Sequence, residues 1–405
     1  MSVLVAGASL AGLSAAETLR KSGYESEIVV VDRSTTLPVD RPPLSKQILS
    51  GEWALERAVS HSHGKLDNWG LDLRLGSAAS RLELDPLRVT LEDGSVLEPE
   101  GVVIATGSRP RHISDSASRL QGVHVLRDLA HTTALRSDLE SSSGPVAVVG
   151  AGFIGAEVAA TCRSLGHEVT MIEAAATPLV RVLPAPIGQY IAGLHRESGV
   201  DVRLGVGVAD IVAGPDGHVR GVAMADGSMI EATIVVVGIG VQPNVEWLDG
   251  SGLDIANGVI CDARCVASPR VVAAGDVASW HNPRYDRRMR VEQWEHAIGQ
   301  GEHAAVVLLS EMGFAGSGEV GAFDSVPWFW SDQYDRKIQM AGIPDASDEM
   351  VVVEGSIEEG RFAVLFRRGE RCSAVLGVNR PRHVMQARMR LEQSLDWDGV
   401  ISLFD

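Results

Sequence analysis

The sequence predicts an α/β protein built on two copies of a strand–helix–strand unit, followed by a smaller α+β domain. Three observations carry that expectation. Residues 3–32 and 146–173 repeat one order: apolar strand, Gly-rich turn, Ala-rich helix, Gly, second apolar strand, terminal carboxylate. Short apolar runs follow at 101–107, 232–240 and 271–276, the texture of buried parallel strands. From about residue 320 the pattern changes, with Trp328, Phe329 and Trp330 clustered before long strand-like runs and a last helix at about 381–394. The length of 405 residues agrees, since about 150 residues per domain gives roughly 2.7 domains.

The repeated unit has a physical reading. In a βαβ dinucleotide site the first Gly makes a tight turn and the second lets backbone approach a pyrophosphate. The third lets helix and strand pack closely, and the carboxylate after the second strand accepts from a ribose hydroxyl. The helix N-terminus faces the phosphates. The second copy is complete, with Gly150, Gly152, Gly155 and then Glu173. The first has Gly7, Ser9 and Gly12, then Asp32, so Ser replaces the middle Gly. Two copies in matching contexts point to two Rossmann-like dinucleotide-binding domains. Asp93-Gly94 and Asp226-Gly227 lie within alternating segments, a hairpin signal, so a small antiparallel sheet is expected beside each unit.

Composition narrows the function. Hydrophobic residues make up 45 % and charged residues 22 %, ordinary for a globular chain. Gly, at 43 residues, is about 11 % against a usual 7 %. The formal charge of −17 disfavours non-specific nucleic-acid binding, which needs cations against phosphates. No apolar run reaches the roughly 18 residues of a membrane span. The N-terminal segment lacks the basic start of a signal peptide, and a cytoplasmic location is expected. The four Cys (162, 261, 265 and 372) include no CxxC pair. No metal or iron–sulfur site is expected from them or from the twelve His.

The chain resembles the FAD-dependent NADH:ferredoxin reductases of oxygenase systems. The matching segments are GASLAG (7–12), RPPLSK (41–46), ATGSRPR (105–111), GAGFIGAE (150–157), GIGVQPN (238–244), AAGDVA (273–278) and WFWSDQY (328–334). They run in order along nearly the whole length. The resemblance implies a glutathione-reductase-like arrangement: an FAD-binding domain in two parts (1–110 and 241–318), an inserted NAD-binding domain (111–240) and a C-terminal α+β interface domain (319–405).

It also implies roles. Gly7, Ser9, Leu10, Ala11 and Gly12 would hold the FAD pyrophosphate, with Arg41. Asp32 and Arg33 would contact the adenosine half, and Ala79 the adenine through its backbone. Pro43, Lys46, Ala105, Thr106, Gly107, Arg127 and Gly275 match other FAD-contacting positions. Asp276 would accept from a ribityl hydroxyl, and Trp294 would lie on the flavin ring. Gly150, Gly152, Phe153, Ile154, Gly155, Glu173, Arg181 and the stretch Gly238, Ile239, Gly240 would bind NAD. Glu173 favours NADH over NADPH, because its carboxylate would repel a 2′-phosphate and the following Ala174-Ala175-Ala176-Thr177 offers no cation. Lys46 would lie near flavin N5 and pair with Glu157, expected in the first turn of its helix, where the dipole favours a carboxylate.

The stretch RPPLSK has no Cys, which sets the chain apart from disulfide- and CoA-type relatives. Electrons must then leave the flavin directly, and the resemblance implies an acidic [2Fe–2S] ferredoxin as acceptor. Against a charge of −17, docking needs a local basic patch. The candidates are Arg284, Arg287, Arg288 and Arg290; Arg367, Arg368 and Arg371; and Arg380, Arg382, Arg388 and Arg390. Rubredoxin or monodehydroascorbate reductase differ only in acceptor. An NADH-sensing flavoprotein of the apoptosis-inducing-factor type is the reading from another class. The sequence leaves monomer or homodimer open.

Overall fold

The computed structural model describes residues 2–180, 182–316 and 318–404. It divides into two compact units. One gathers residues 1–40, 59–109 and 242–327; the other gathers 41–58, 110–241 and 328–405.

The first unit is built on a six-stranded sheet. Its order is Val266–Ser268, Val271–Ala273, Gly101–Ile104, Ser2–Ala6, Glu27–Asp32 and Asp72–Leu75. Ser2–Ala6 pairs in parallel with both Glu27–Asp32 and Gly101–Ile104. Val3, Val5, Ile28, Val30, Val102 and Val103 have no solvent exposure, so both sheet faces are covered, as a parallel sheet requires. The helices Leu10–Lys21 and Trp294–Glu311 lie against each other in this unit. Gly301 makes that possible: a Cβ there would stand 2.2 Å from the Ala11 carbonyl oxygen.

The second unit repeats the plan in a five-stranded parallel sheet. Its order is Asp201–Leu204, Val169–Glu173, Val146–Val149, Ile234–Val237 and Val123–His124. The same unit holds a five-stranded antiparallel sheet: Trp328–Gln333, Arg336–Gly342, Arg371–Val378, Arg361–Arg368 and Glu349–Ser356. Its buried residues Ile338, Phe362, Val364 and Leu376 share a core with Leu183, Ile187 and Ile191, the last two on the helix Ala185–Glu197. The helix Pro381–Gln393 buries Val384, Ala387 and Leu391. The α/β architecture with two nucleotide-type sheets and a C-terminal α+β region is therefore as expected. Both hairpins form as well, Leu87–Leu91 with Val96–Leu97 and Val219–Met224 with Met229–Glu231.

Among the described residues, His296 in the first unit and His195 in the second are deeply buried, and their rings stay neutral. Burial pushes His195 and His296 down to about 4, from an ordinary value near 6.5. The folded pKa is depressed, so stability is complete above about pH 6.5. It is lost as pH falls towards 4, because the unfolded chain takes up protons that the folded chain refuses. The loss reaches about 1.4 kcal/mol per pH unit for each histidine within that window. Urea midpoints at pH 7.0 and 5.5 check this. The midpoint is expected to fall, and to fall less in His195→Gln; equal midpoints would contradict the assignment.

Candidate functional site

The first Gly-rich turn connects Ser2–Ala6 to the helix Leu10–Lys21. Gly7 has φ +116°, a left-handed conformation that favours Gly. A Cβ there would lie 2.2 Å from the Ala105 carbonyl oxygen, and one at Gly12 would lie 1.8 Å from the Gly7 carbonyl oxygen. Ser9 occupies the N-cap in extended conformation, and its side chain makes no capping bond. Leu10 and Ala11 form the first turn, whose N–H groups therefore point out of the helix unclaimed by the cap. The Asp32 carboxylate accepts from Ala8 N at 2.6 Å and from Ser34 N at 2.7 Å. Each oxygen keeps a further lone pair, so the group that anchors the turn can still accept from a hydroxyl.

Around this turn the unit arranges other expected residues. Thr106 Oγ donates to the Asn244 carbonyl at 2.8 Å, and Asn244 Nδ2 donates back to the Thr106 carbonyl at 2.8 Å. Asn244 N also donates to the Gly107 carbonyl at 2.9 Å. Asp276 is buried and accepts from Ser108 Oγ at 2.8 Å. Its neighbour Gly275 donates to Gln300 Oε1 at 2.8 Å, and Arg290 donates to the Asp276 carbonyl at 2.9 Å. Trp294, 36 % exposed, opens the helix Trp294–Glu311 and donates to Asp40 Oδ1 at 3.0 Å. Ala79 begins the strand Ala79–Leu84. Arg33 is exposed and stands 3.7 Å from Glu92. Asn244, Ser108, Gln300 and Arg290 escaped sequence reasoning as supports, because their partners are distant in the chain.

The second turn has the same construction. Gly150 has φ +101°, and a Cβ would lie 2.4 Å from the Gly238 carbonyl oxygen. A Cβ at Gly155 would lie 2.0 Å from the Gly150 carbonyl oxygen. Gly152 is the N-cap of the helix Phe153–Ser164. Its missing side chain faces open space, the nearest atom to a Cβ being the Gly238 carbonyl oxygen at 3.9 Å. Glu173 accepts from Ala151 N and Ala175 N, each at 2.9 Å. Phe153 packs on Phe329, with ring centroids 4.4 Å apart, while Ile154 is 39 % exposed. Ile239 and Gly240 follow the strand Ile234–Val237, Gly240 with φ +100°. Arg181 lies outside the described residues.

Arg41, Pro43, Lys46 and Arg127 belong to this second unit. Pro42–Ser45 forms a short 3-10 turn with Arg41 as its N-cap. Directly after it, Lys46 Nζ meets Glu157 Oε1 at 3.0 Å. Glu157 also accepts from Ser45 Oγ at 2.5 Å, Ser331 Oγ at 2.8 Å and Asp332 N at 3.3 Å. One expectation needs correction: Glu157 is the fifth residue of the helix Phe153–Ser164, beyond its first turn. The dipole acts within the first turn, so the carboxylate is held by these four donors instead.

The four cysteines are buried and unpaired. Burial pushes the Cys162, Cys261 and Cys372 thiols up to about 12 and holds the Cys265 thiol well above its ordinary value. None supplies a thiolate at neutral pH. The arginine clusters are largely consumed within the protein. Arg284 pairs with Asp324 at 2.8 Å, Arg368 with Asp348 at 2.6 Å, Arg380 with Glu354 at 3.2 Å and Arg388 with Glu392 at 3.0 Å. Arg288 donates to the Cys261 and Ser279 carbonyls. Among the described residues, Arg287 and Arg382 are exposed and form no ion pair.

Two glycine turns, each closed by a carboxylate and opening a helix, define an oxidoreductase of the two-nucleotide class. Cβ-free backbone at the turns and acceptor carboxylates at the strand ends fit the pyrophosphate and ribose groups of FAD and NAD. The family description "Pyridine nucleotide-disulphide oxidoreductase" matches residues 1–301, and "Reductase C-terminal" matches 328–399. The chain is 36 % identical over 412 residues to the rhodocoxin reductase of Rhodococcus erythropolis, covering 100 % of this chain and 94 % of the relative. It is 34 % identical to the putidaredoxin reductase of Pseudomonas putida, covering 99 % and 95 %. The structure of a covalent putidaredoxin reductase–putidaredoxin complex matches at a TM-score of 0.92 with 32 % identity, covering 100 % of this chain and 98 % of that one. The chain belongs to the pyridine nucleotide-disulphide oxidoreductase family, in its branch of ferredoxin reductases.

Proposed function

We propose that this protein takes hydride from NADH onto FAD and passes single electrons to a [2Fe–2S] ferredoxin serving a cytochrome P450 or a Rieske dioxygenase. The observation that carries the reading is the doubled glycine turn, together with a buried Lys46–Glu157 pair. Full-length similarity to ferredoxin reductases supports it. When bound, the flavin accepts a hydride and releases electrons one at a time. Residues 1–110 and 241–318 serve as the FAD domain, 111–240 as the NAD domain and 319–405 as the interface domain. The chain works in the cytoplasm; among the described residues no helix is long and apolar enough to cross a membrane.

The residues divide the work. The first turn and Asp32 orient the flavin nucleotide, with Thr106, Gly107 and Asp276 held in place by Asn244 and Ser108. The second turn and Glu173 orient the nicotinamide nucleotide. Lys46 is held by Glu157 and would supply a fixed positive charge to the flavin. The test is NADH-driven reduction of a panel of acidic [2Fe–2S] ferredoxins and rubredoxins. Turnover with a ferredoxin, slowed by added salt, supports the reading; turnover with rubredoxins alone overturns the acceptor.

Glu173 sets nucleotide choice. Its carboxylate stands where a 2′-phosphate would add like charge, and each 1.4 kcal/mol of repulsion is about tenfold in preference. kcat/KM is expected to favour NADH over NADPH by at least about tenfold. Glu173→Ala is expected to raise KM for NADH without creating NADPH activity. The substitution also frees Ala151 N and Ala175 N, so the turn loosens for both nucleotides. An NADPH preference in the unaltered protein would refute the assignment.

A further inference from the structure

A buried histidine and two buried polar residues of the antiparallel sheet are left without a role by the reading above. His195, Ser331 and Gln333 have no solvent exposure. They stand in an unbroken series of hydrogen bonds that ends on Glu157. Tyr334 OH lies 2.9 Å from His195 Nδ1, and His195 Nε2 lies 3.1 Å from Gln333 Oε1. Gln333 Nε2 lies 3.1 Å from Ser331 Oγ, and Ser331 Oγ lies 2.8 Å from Glu157 Oε1.

Donor counting fixes the direction of every bond. Ser331 has one hydroxyl hydrogen, and the Glu157 carboxylate accepts it. Ser331 Oγ must then accept from its other neighbour, so the Gln333 amide nitrogen faces it. With the amide reversed, two acceptors would compete for one hydrogen. Gln333 Oε1 therefore faces His195 and takes the Nε2 hydrogen. The neutral imidazole leaves Nδ1 bare, and Tyr334 donates to it. All four bonds point one way, towards the carboxylate, so each polarises the next. Burial keeps the His195 ring neutral, which this direction requires.

The strand Trp328–Gln333 supports the arrangement by its period of two. Ser331 and Gln333 share the buried face, while Trp328 and Trp330 share the other, with ring centroids 5.1 Å apart. Asp332 adds its backbone N–H to Glu157 from the same strand. One element of the antiparallel sheet thus supplies two of the four donors on a carboxylate carried by a different helix.

We propose that Ser331 and Gln333, backed by His195 and Tyr334, are positioning residues that hold the Glu157 carboxylate against Lys46 for flavin reduction. This rests on the reading of Lys46 and Glu157 given above. Ser331→Ala removes one hydroxyl and leaves Gln333 Nε2 without its acceptor. The carboxylate loses a donor and its orientation, and Lys46 loses its fixed place.

The test is stopped-flow flavin reduction by NADH in the FAD-loaded enzyme. Ser331→Ala is expected to lower the limiting rate about tenfold, the scale of a hydrogen bond to a charged group, with the apparent Kd for NADH unchanged. Gln333→Met is expected to lower it less. Added to Glu157→Gln, neither change is expected to cause a further fall, because both act through that carboxylate. Additive losses, an unchanged rate in Ser331→Ala, or loss of flavin or fold in both variants would overturn the proposal and leave the chain a structural role. If Glu157→Gln alone left the rate unchanged, the reading of the Lys46–Glu157 pair would fail instead.

Discussion

A Glu157→Ala variant is expected to lose about 3–5 kcal/mol of stability together with nearly all NADH-driven flavin reduction, and the two losses separate on adding a second change. The Lys46 and Glu157 side chains are only 12 % and 8 % exposed. Removing one partner of a buried pair strands the other charge, which costs about 3–5 kcal/mol. Replacing both charges with apolar residues of similar size is often near neutral. Lys46→Met with Glu157→Leu is therefore expected to regain much of the lost stability. Recovery stays incomplete, because Ser45 and Ser331 each keep a buried hydroxyl without its acceptor, at about 1–3 kcal/mol apiece. With Lys46 acting on the flavin as proposed, flavin reduction is not expected to return, since neither position keeps a charge. Urea unfolding and stopped-flow reduction on the three proteins decide the matter. If the double variant reduced flavin at the rate of the unaltered protein, the pair would serve the fold alone.

What the sequence disclosed and what it concealed follow from the range of the interactions. The glycine turns were legible because their geometry is local: Gly7 with Gly12 and Gly150 with Gly155 meet within one turn of chain, and Asp32 and Glu173 lie at the next strand end. The hairpins at Asp93-Gly94 and Asp226-Gly227 were legible for the same reason. Glu157 falls just beyond the first turn because the helix already begins at Phe153, directly after its cap Gly152, earlier than a first-turn Glu157 requires. Asn244 on Thr106 and Ser108 on Asp276 span 138 and 168 residues, and no periodicity announces such pairs. The arginine clusters misled in the opposite sense. Their density signalled a cationic surface, but Arg284, Arg368, Arg380 and Arg388 are paired with carboxylates far or near in the chain. In the segment WFWSDQY the aromatics draw attention, while Ser331, on the face opposite the tryptophans, and the Asp332 backbone N–H make the contacts with Glu157.

The same substitution made at equivalent points of the two repeats is expected to give opposite phenotypes. Gly12→Ala places a methyl 1.8 Å from the Gly7 carbonyl oxygen, and Gly155→Ala places one 2.0 Å from the Gly150 carbonyl oxygen. Both obstacles are backbone, so neither can turn aside as a side chain would. The helix must move away from its strand, and the turn that faces the phosphates opens with it. A shift of this kind also loosens well-packed cores, where overpacking costs about 1–3 kcal/mol. Beyond that shared cost the two variants diverge. With the first turn holding the flavin nucleotide, Gly12→Ala is expected to purify largely without its yellow colour. Gly155→Ala is expected to keep the flavin, which dithionite still reduces, while the apparent Kd for NADH rises by about tenfold or more, the equivalent of 1.4 kcal/mol or greater. Added FAD should restore part of the activity of the first variant and none of that lost in the second. The reverse pattern, flavin lost from Gly155→Ala and NADH affinity lost from Gly12→Ala, would exchange the two nucleotides between the repeats. It would also remove Glu173 as the residue that selects NADH, because its carboxylate belongs to the second repeat alone.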